Sequence, residues 1–357
     1  MFLRYILSFF IALLGSFLAY ELGLPIPWML GALFITAACR INGLNNAFHP
    51  AFRKAGQLLV GVSVGLYFTP QVNSVLLNQS FFIILASFFS VLLGLLGAWI
   101  LYKFTNQNFA TSYYASTIGG ASEMVVIAER NTDGNLPLIA SAHSFRILTV
   151  VVLIPFIYQY LGIHGDLQDF GVNLPHKTYI TDISYKFFLL IAGAVVSGFI
   201  LQKFNFPNSW FVGTMFFSAL LTSFDIHLSY VPIEAQRLGQ VLLGWALGSN
   251  FKPHFFKQAP KFVAVMAAVI VIYVSIMAML AYVISIPSHY ALETLILGMS
   301  PGGLAEMAVT AKDLNLGAPV VVAFQIVRLI AVLLLARPIY KLLSKQLSSK
   351  LDYGSKQ

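Results

Sequence analysis

Long runs of apolar residues dominate this chain. Ser80 to Tyr102 carries no charge, and neither does Phe262 to Leu292. An α-helix needs about 20 such residues to cross a hydrocarbon core of about 30 Å. Shorter apolar segments surround these two. Six fall in the first half of the chain, at about residues 3–21, 27–41, 53–67, 79–103, 109–130 and 136–160. Six fall in the second half, at about 183–203, 208–224, 235–250, 261–287, 291–312 and 317–341. Several of the shorter ones are interrupted by Gly or Pro. The pattern predicts an all-α integral membrane protein with broken or re-entrant helices, whose first partner is the lipid bilayer.

The two sets of segments are copies of one unit. Pro25, Trp28 and Gly31 recur as Pro207, Trp210 and Gly213, 182 residues later. Gly56-Gln57, Gly61 and Gly65 recur as Gly239-Gln240, Gly244 and Gly248, at an offset of 183. Gly119-Gly120-x-x-Glu123-Met124 recurs as Gly302-Gly303-x-x-Glu306-Met307 at the same offset. Arg146 recurs as Arg328, and Pro155 as Pro338. Composition bias aligns Leu with Leu, but not Pro, Trp, Gly-Gln and Gly-Gly-x-x-Glu-Met in one order. The chain therefore divides into a first membrane repeat (1–160), an extracytoplasmic linker (161–182), a second membrane repeat (183–344) and a basic tail (345–357).

Charge placement then bears on topology. With 21 Lys and Arg against 13 Asp and Glu, the chain carries a net charge of +8. Arg4 and the tail residues Arg337, Lys341, Lys345, Lys350 and Lys356 assign both termini to the cytoplasm, because basic loops stay inside. The linker lacks a basic excess, which assigns it to the other side. An odd number of crossings in the first repeat follows, with the second repeat inverted. If the fifth segment of each repeat enters the membrane and returns, the loops with Arg40, Arg53, Lys103, Arg130, Lys203 and Lys252 all lie inside. This favours about ten crossings in two inverted units. Twelve crossings in parallel repeats is the alternative. The N-terminal segment reads as a retained helix rather than a signal peptide, since a second apolar segment follows at once.

The candidate chemistry lies in the fifth segments. Paired glycines weaken a continuous helix, and Pro301 precedes one pair. Unwound backbone at membrane depth is tolerated only where protein buries it or water reaches it. Matching breaks in two repeats point to a transporter's binding site. Gly119, Gly120, Gly302 and Gly303 are thus candidate binding positions. Glu123 and Glu306 follow them as candidate carriers of a proton or cation. Arg146 and Arg328 sit near the middle of apolar segments, where a charge faces a cavity or a partner. They are candidates for substrate contact or gating, with pairing to the glutamates as the alternative. Gln57 and Gln240 are binding candidates or interhelical glue. Trp28 and Trp210 read as interface anchors, and His143 as a lesser candidate for proton transfer. Cys39 is the only cysteine, and the seven histidines form no cluster, so no metal or other cofactor is expected. Enzyme motifs such as HExxH, GxSxG, CxxC or a Walker loop are absent, as is any element built to read nucleic acid.

These paired motifs, present in both repeats and across nearly the whole chain, resemble the AbrB-duplication family of bacterial inner-membrane proteins. Members of that family carry the labels transcriptional regulator and ammonia monooxygenase. The resemblance extends more distantly to cation–proton antiporters and anion transporters built from inverted repeats and broken helices. It implies a multi-pass protein of the bacterial inner membrane and an ion-coupled secondary transporter. The cargo would be a small solute, with an anion one option, moved by alternating access. A membrane regulator acting indirectly on gene expression is the alternative, and a homo-oligomer is compatible with either. A membrane oxidoreductase ranks third, because oxygen chemistry needs a cofactor site and none is visible.

Overall fold

A computed structural model of the chain describes residues 2–44, 47–131, 133–165, 178–250, 259–288 and 290–354. Apart from a single 3₁₀ turn at Ile180–Asp182, every regular element among them is an α-helix. The first repeat contains α1 (Phe2–Glu21), α2 (Pro27–Ile41), α3 (Pro50–Gly65), α4 (Pro70–Asn78), α5 (Ser80–Phe104), α6 (Phe109–Ser116), α7 (Ala121–Asn131) and α8 (Leu136–Tyr160). The second contains α9 (Tyr185–Lys203), α10 (Ser209–Ser223), α11 (Ile233–Ser249), α12 (Pro260–Ser288), α13 (Leu292–Met299), α14 (Leu304–Asp313) and α15 (Ala318–Gly354).

Local sequence sets the helix starts. Pro27, Pro50 and Pro70 occupy first-turn positions, where a missing N–H costs nothing. Side chains of His49, Thr69, Asn108 and Asn135 accept hydrogen bonds from the free N–H groups of α3, α4, α6 and α8. Thr69 and Pro70 together begin a helix where the hydropathy pattern gives only an uncharged loop at 69–78. This short helix turns 89° from α3. Another departure is at the C-terminus, where α15 runs on through the first ten residues of the expected tail. Among the described residues, six helices are long and apolar enough to cross a membrane by length and composition, or seven if the bent α3–α4 pair is one span. Large apolar side chains such as Phe10, Phe81, Trp99, Phe188 and Met279 are exposed on them, as lipid-facing surface requires.

The second repeat is inverted. Gly244 and Gly248 of α11 lie against Met29 and Leu33 of α2, so α2 and α11 run in the same direction. Gly61 and Gly65 of α3 meet Phe211 and Met215 of α10 in the same way. Trp245 packs on Phe52 with tilted rings whose centres are 4.9 Å apart, while Gly239 meets Leu59 and Val60. Helices α3 and α11, which are repeat equivalents, therefore cross in opposite directions. This crossing depends on small residues. A Cβ on Gly244 would come 2.1 Å from the Met29 carbonyl oxygen, a backbone atom that cannot step aside. Gly244→Val is expected to cost about 1–3 kcal/mol, read as a lower unfolding midpoint in detergent. Gly94→Ala, whose new Cβ would find its nearest neighbour 3.5 Å away, should leave the midpoint almost unchanged.

The fifth segment of each repeat folds as a helical hairpin. Asn108, at the start of α6, donates from Nδ2 to the Asp133 carbonyl beyond the end of α7, at 2.8 Å. Asn135 N–H donates to Thr111 Oγ1 at 2.8 Å. The two ends of the 109–131 segment thus meet on one face. The second repeat does the same, with Gly317 N–H donating to Thr294 Oγ1 at 3.3 Å. Thr294 is the repeat equivalent of Thr111, so this closure is an inherited feature of the unit.

Candidate functional site

Both hairpins break at their glycine pairs, over residues 117–120 and 300–303, as the sequence predicts. A break of this kind leaves carbonyls at the end of one half-helix and N–H groups at the start of the next. The two sets meet different side chains.

Arginines take the carbonyls. Arg146 is 1% exposed and donates to Thr117 O, to Gly119 O at 3.3 Å, and across the repeats to Pro301 O at 3.2 Å. Arg328 donates to Met299 O at 3.1 Å, Ser300 O at 2.7 Å and Gly302 O at 3.5 Å, and to Gln325 Oε1. The negative ends of two helix dipoles, α6 and α13, meet these cations. Neither arginine bonds Glu123 or Glu306, so the expected alternative of a glutamate–arginine ion pair is not formed. Arg146 does not line the open cavity, whereas Arg328 does.

His143 does similar work. Its Nε2 lies 2.8 Å from the Tyr114 carbonyl, which can only accept, so the proton is on Nε2. Gln325, its repeat equivalent, donates to Leu297 O at 3.5 Å and Ser300 O at 3.1 Å. Tyr114 and Leu297 are themselves repeat equivalents. His143 is fully buried and holds the break.

Glutamates stand at the N–H ends, where Ser122 Oγ donates to Glu123 Oε2 at 3.1 Å. Met124 N–H donates to Gly120 O and Met307 N–H to Gly303 O, at 3.0 and 2.9 Å. Gly120 and Gly303 are thus the N-caps of α7 and α14, which puts Glu123 and Glu306 at the third helical position. A carboxylate there folds back toward the N-cap and meets the positive helix end. Oε2 of Glu123 would lie 2.1 Å from a Cβ placed on Gly120, and Oε2 of Glu306 2.2 Å from one on Gly303. The second glycine of each pair is therefore the seat of the carboxylate. Gly303→Ala should push Glu306 out of its seat, cutting any ligand affinity by about tenfold or more. Binding isotherms would check this, with Gly302→Ala compared alongside.

The two breaks share one cavity of about 900 Å³. Gly119, Gly120, Gly302, Gly303, Glu123 and Glu306 all line it. Glu306 is 4% exposed, while Glu123 is half-buried. The cavity extends past Ser144 and Asn208 to a mouth at Arg40, Gly43, Leu44 and Arg53. These mouth residues lie at the α2–α3 end, the face that carries the basic loops. Among the described residues, no three His, Cys, Asp or Glu side chains gather as metal ligands.

Gln57 and Gln240 are not part of the cavity wall, whereas Gln325 is. Gln57 Nε2 donates to Asn208 Oδ1 at 3.4 Å. Gln240 Nε2 donates to both carboxylate oxygens of Asp313, at 3.0 and 3.1 Å. Both act as links between elements. Trp28 and Trp210 are anchored by cations, with Arg237 5.1 Å from the Trp28 ring centre and Lys54 5.7 Å from that of Trp210. On the face opposite the mouth, Lys312 donates to Ser63 Oγ and Gln236 Oε1 and lies 5.7 Å from the Tyr67 ring centre. The linker ties to this same face, through Gly165 N–H to Leu314 O and Ile233 N–H to Thr178 O, each at 3.0 Å. Most of the linker, residues 166–177, lies outside the described residues.

Gln325, Asn208, Ser144 and Lys312 have no prominence in the hydropathy pattern. Gln325 had one signal, its place three residues before Arg328. Asn208 stands directly before the second Trp motif.

Sequence comparison finds relatives across nearly the whole chain. "Uncharacterized protein YhjN" of Bacillus subtilis (strain 168) is 27% identical over 365 aligned positions, covering 96% of this chain and 93% of that protein. "Putative regulator AbrB" of Escherichia coli (strain K12) is 23% identical, with 92% of each chain covered. Residues 28–344 match the family described as "Transition state regulatory protein AbrB", a span that contains both repeats apart from the first helix. The chain belongs to the AbrB family.

Proposed function

We propose that this protein is an ion-coupled secondary transporter of the inner membrane. It has about ten crossings, and its basic face and both termini lie in the cytoplasm. The observation that carries this reading is the single cavity lined by both breaks and both glutamates. A site placed where two inverted repeats meet can be exposed to either side by moving one unit against the other. Glu123 and Glu306 supply the coupling site for a proton or cation. The Arg40 and Arg53 mouth favours an anionic solute. The enzyme reading ranks below carriage: Ser122 Oγ donates to Glu123 Oε2 at 3.1 Å in the cavity, but both sit at the start of α7 and, among the described residues, no third group orients that carboxylate.

Reconstituted vesicles test this. Pooled isotope-labelled carboxylates and amines are offered under an imposed proton or sodium gradient. Accumulation of one class above empty vesicles supports the reading. No accumulation of any solute under either gradient contradicts it.

The name of the Escherichia coli relative favours a second reading, a regulator. For this chain, regulation would act through the solute moved or sensed. A ligand that binds the cavity without ever crossing would favour sensing over transport.

A further inference from the structure

The two hairpins are related by the repeat but differ in how they meet the α3–α11 crossing. Helix α14 packs along α3, whereas its equivalent α7 packs on α6, α8 and α15 instead of α11. The end of α14 is fastened by side chains. Lys312 donates to Ser63 and Gln236, and Asp313 accepts two hydrogen bonds from Gln240. This seals the face opposite the mouth.

Each second-repeat residue of that seal has an equivalent 183 positions earlier. Lys312 and Asp313 correspond to Glu129 and Arg130; Gln236 and Gln240 correspond to Arg53 and Gln57. The charges are exchanged as a set. A lysine at 129 would face the cation Arg53, but the chain places a glutamate there. Arg130, facing Gln57, would find the amide oxygen in place of the amide nitrogen that Asp313 uses. Glu129, Arg130 and Arg53 are exposed, and among the described residues none of their side chains has an ion-pair or hydrogen-bond partner. Arg53 stands at the open mouth. Lys54, the equivalent of Arg237, is held aside by Gln202 Oε1 at 3.0 Å and by Trp210.

We infer that the mouth closes when α7 docks on the crossing through a Glu129–Arg53 ion pair and an Arg130–Gln57 hydrogen bond. This closure is the repeat-related image of the Lys312–Asp313 seal, and the two seals form in alternation. Ser63 has Ala246 as its equivalent, so the inner seal lacks a hydroxyl and depends more on the ion pair. The inference rests on the transporter reading for its purpose, but its test needs no substrate.

Full-length protein carrying Cys39→Ser is reconstituted in lipid vesicles. Gln57→Cys with Arg130→Cys, which leaves the Glu129–Arg53 pair intact, is treated with a short bis-methanethiosulfonate cross-linker, and its repeat image, Gln240→Cys with Asp313→Cys, serves as the pair already in contact. Both pairs should cross-link, the first trapping a state absent from the open structure. A second experiment places Ser144→Cys in the cavity and follows its labelling by a membrane-impermeant methanethiosulfonate reagent from the mouth side. Arg53→Glu or Glu129→Arg alone should speed labelling about fivefold, and the two together should restore the original rate. Cross-linking of the outer pair with none of the inner pair would overturn the inference, as would equal labelling in all variants. Solute flux without inner cross-linking would remove this gate but leave the transporter reading. Inner cross-linking in a protein that moves no solute would do the reverse.

Discussion

Arg146→Ala is expected to lower stability by about 3–5 kcal/mol. The side chain is fully buried, and its guanidinium supplies donors to Thr117 O, Gly119 O and Pro301 O. Removing it leaves three carbonyls of unwound backbone in a low-dielectric interior. Each orphaned group costs about 1–3 kcal/mol, part of which is offset because a charge no longer has to be buried. Arg146→Lys should recover only a fraction, since one ammonium on a flexible stem cannot match a planar fork with three acceptors. Thermal unfolding in detergent reads the difference. The variant also separates two roles for the arginine. If it paired with Glu123, Glu123→Gln would destabilise the protein as much as Arg146→Ala. The geometry predicts that Glu123→Gln leaves the midpoint unchanged.

The second large effect is on flux. Glu306→Gln and Glu123→Gln should each reduce solute accumulation by about 100-fold while changing stability by less than about 0.5 kcal/mol. Glutamine serves as well as glutamate at the third position of a helix, so the seat against Gly303 or Gly120 is kept. Only the ionisable charge is lost. Accumulation in vesicles and unfolding midpoints, taken on the same preparations, separate the two contributions. A large stability loss with no selective loss of flux would mean that the carboxylates serve only as caps.

The duplication and the breaks are legible in the sequence for a specific reason. In a hydrocarbon setting Leu, Ile, Val and Phe interchange freely, so the residues that stay in register are those whose geometry is constrained. Gly244 and Gly61 sit where helices touch backbone to backbone, and Gly120 and Gly303 sit under carboxylates. The direction of the repeats is legible from charge, because the linker and the basic loops fall on opposite faces.

Three features are hidden. Helix α4 carries Gln71 and Asn73 among apolar residues and resembles a loop in hydropathy, although Thr69-Pro70 is a helix start. The acceptors of the arginines are hidden because a buried guanidinium can be satisfied by carboxylates or by carbonyls, and the sequence counts only the carboxylates. The seal at Lys312–Asp313 is hidden because adjacent opposite charges at a helix end look like solvated surface. Its meaning emerges only when Glu129–Arg130 is set beside it. Gln57 and Gln240 stand at equivalent positions but meet different partners, Asn208 and Asp313, because the two hairpins occupy different positions against the same crossing.

The central claim is that the two breaks build one site rather than two. Calorimetric titration tests it most directly, using the solute identified in the vesicle screen and purified protein in lipid nanodiscs. The account predicts a single class of sites at one ligand per chain, with binding lost in Glu123→Gln and equally in Glu306→Gln. Two independent sites per chain, or binding that survives unchanged in both variants, would contradict it.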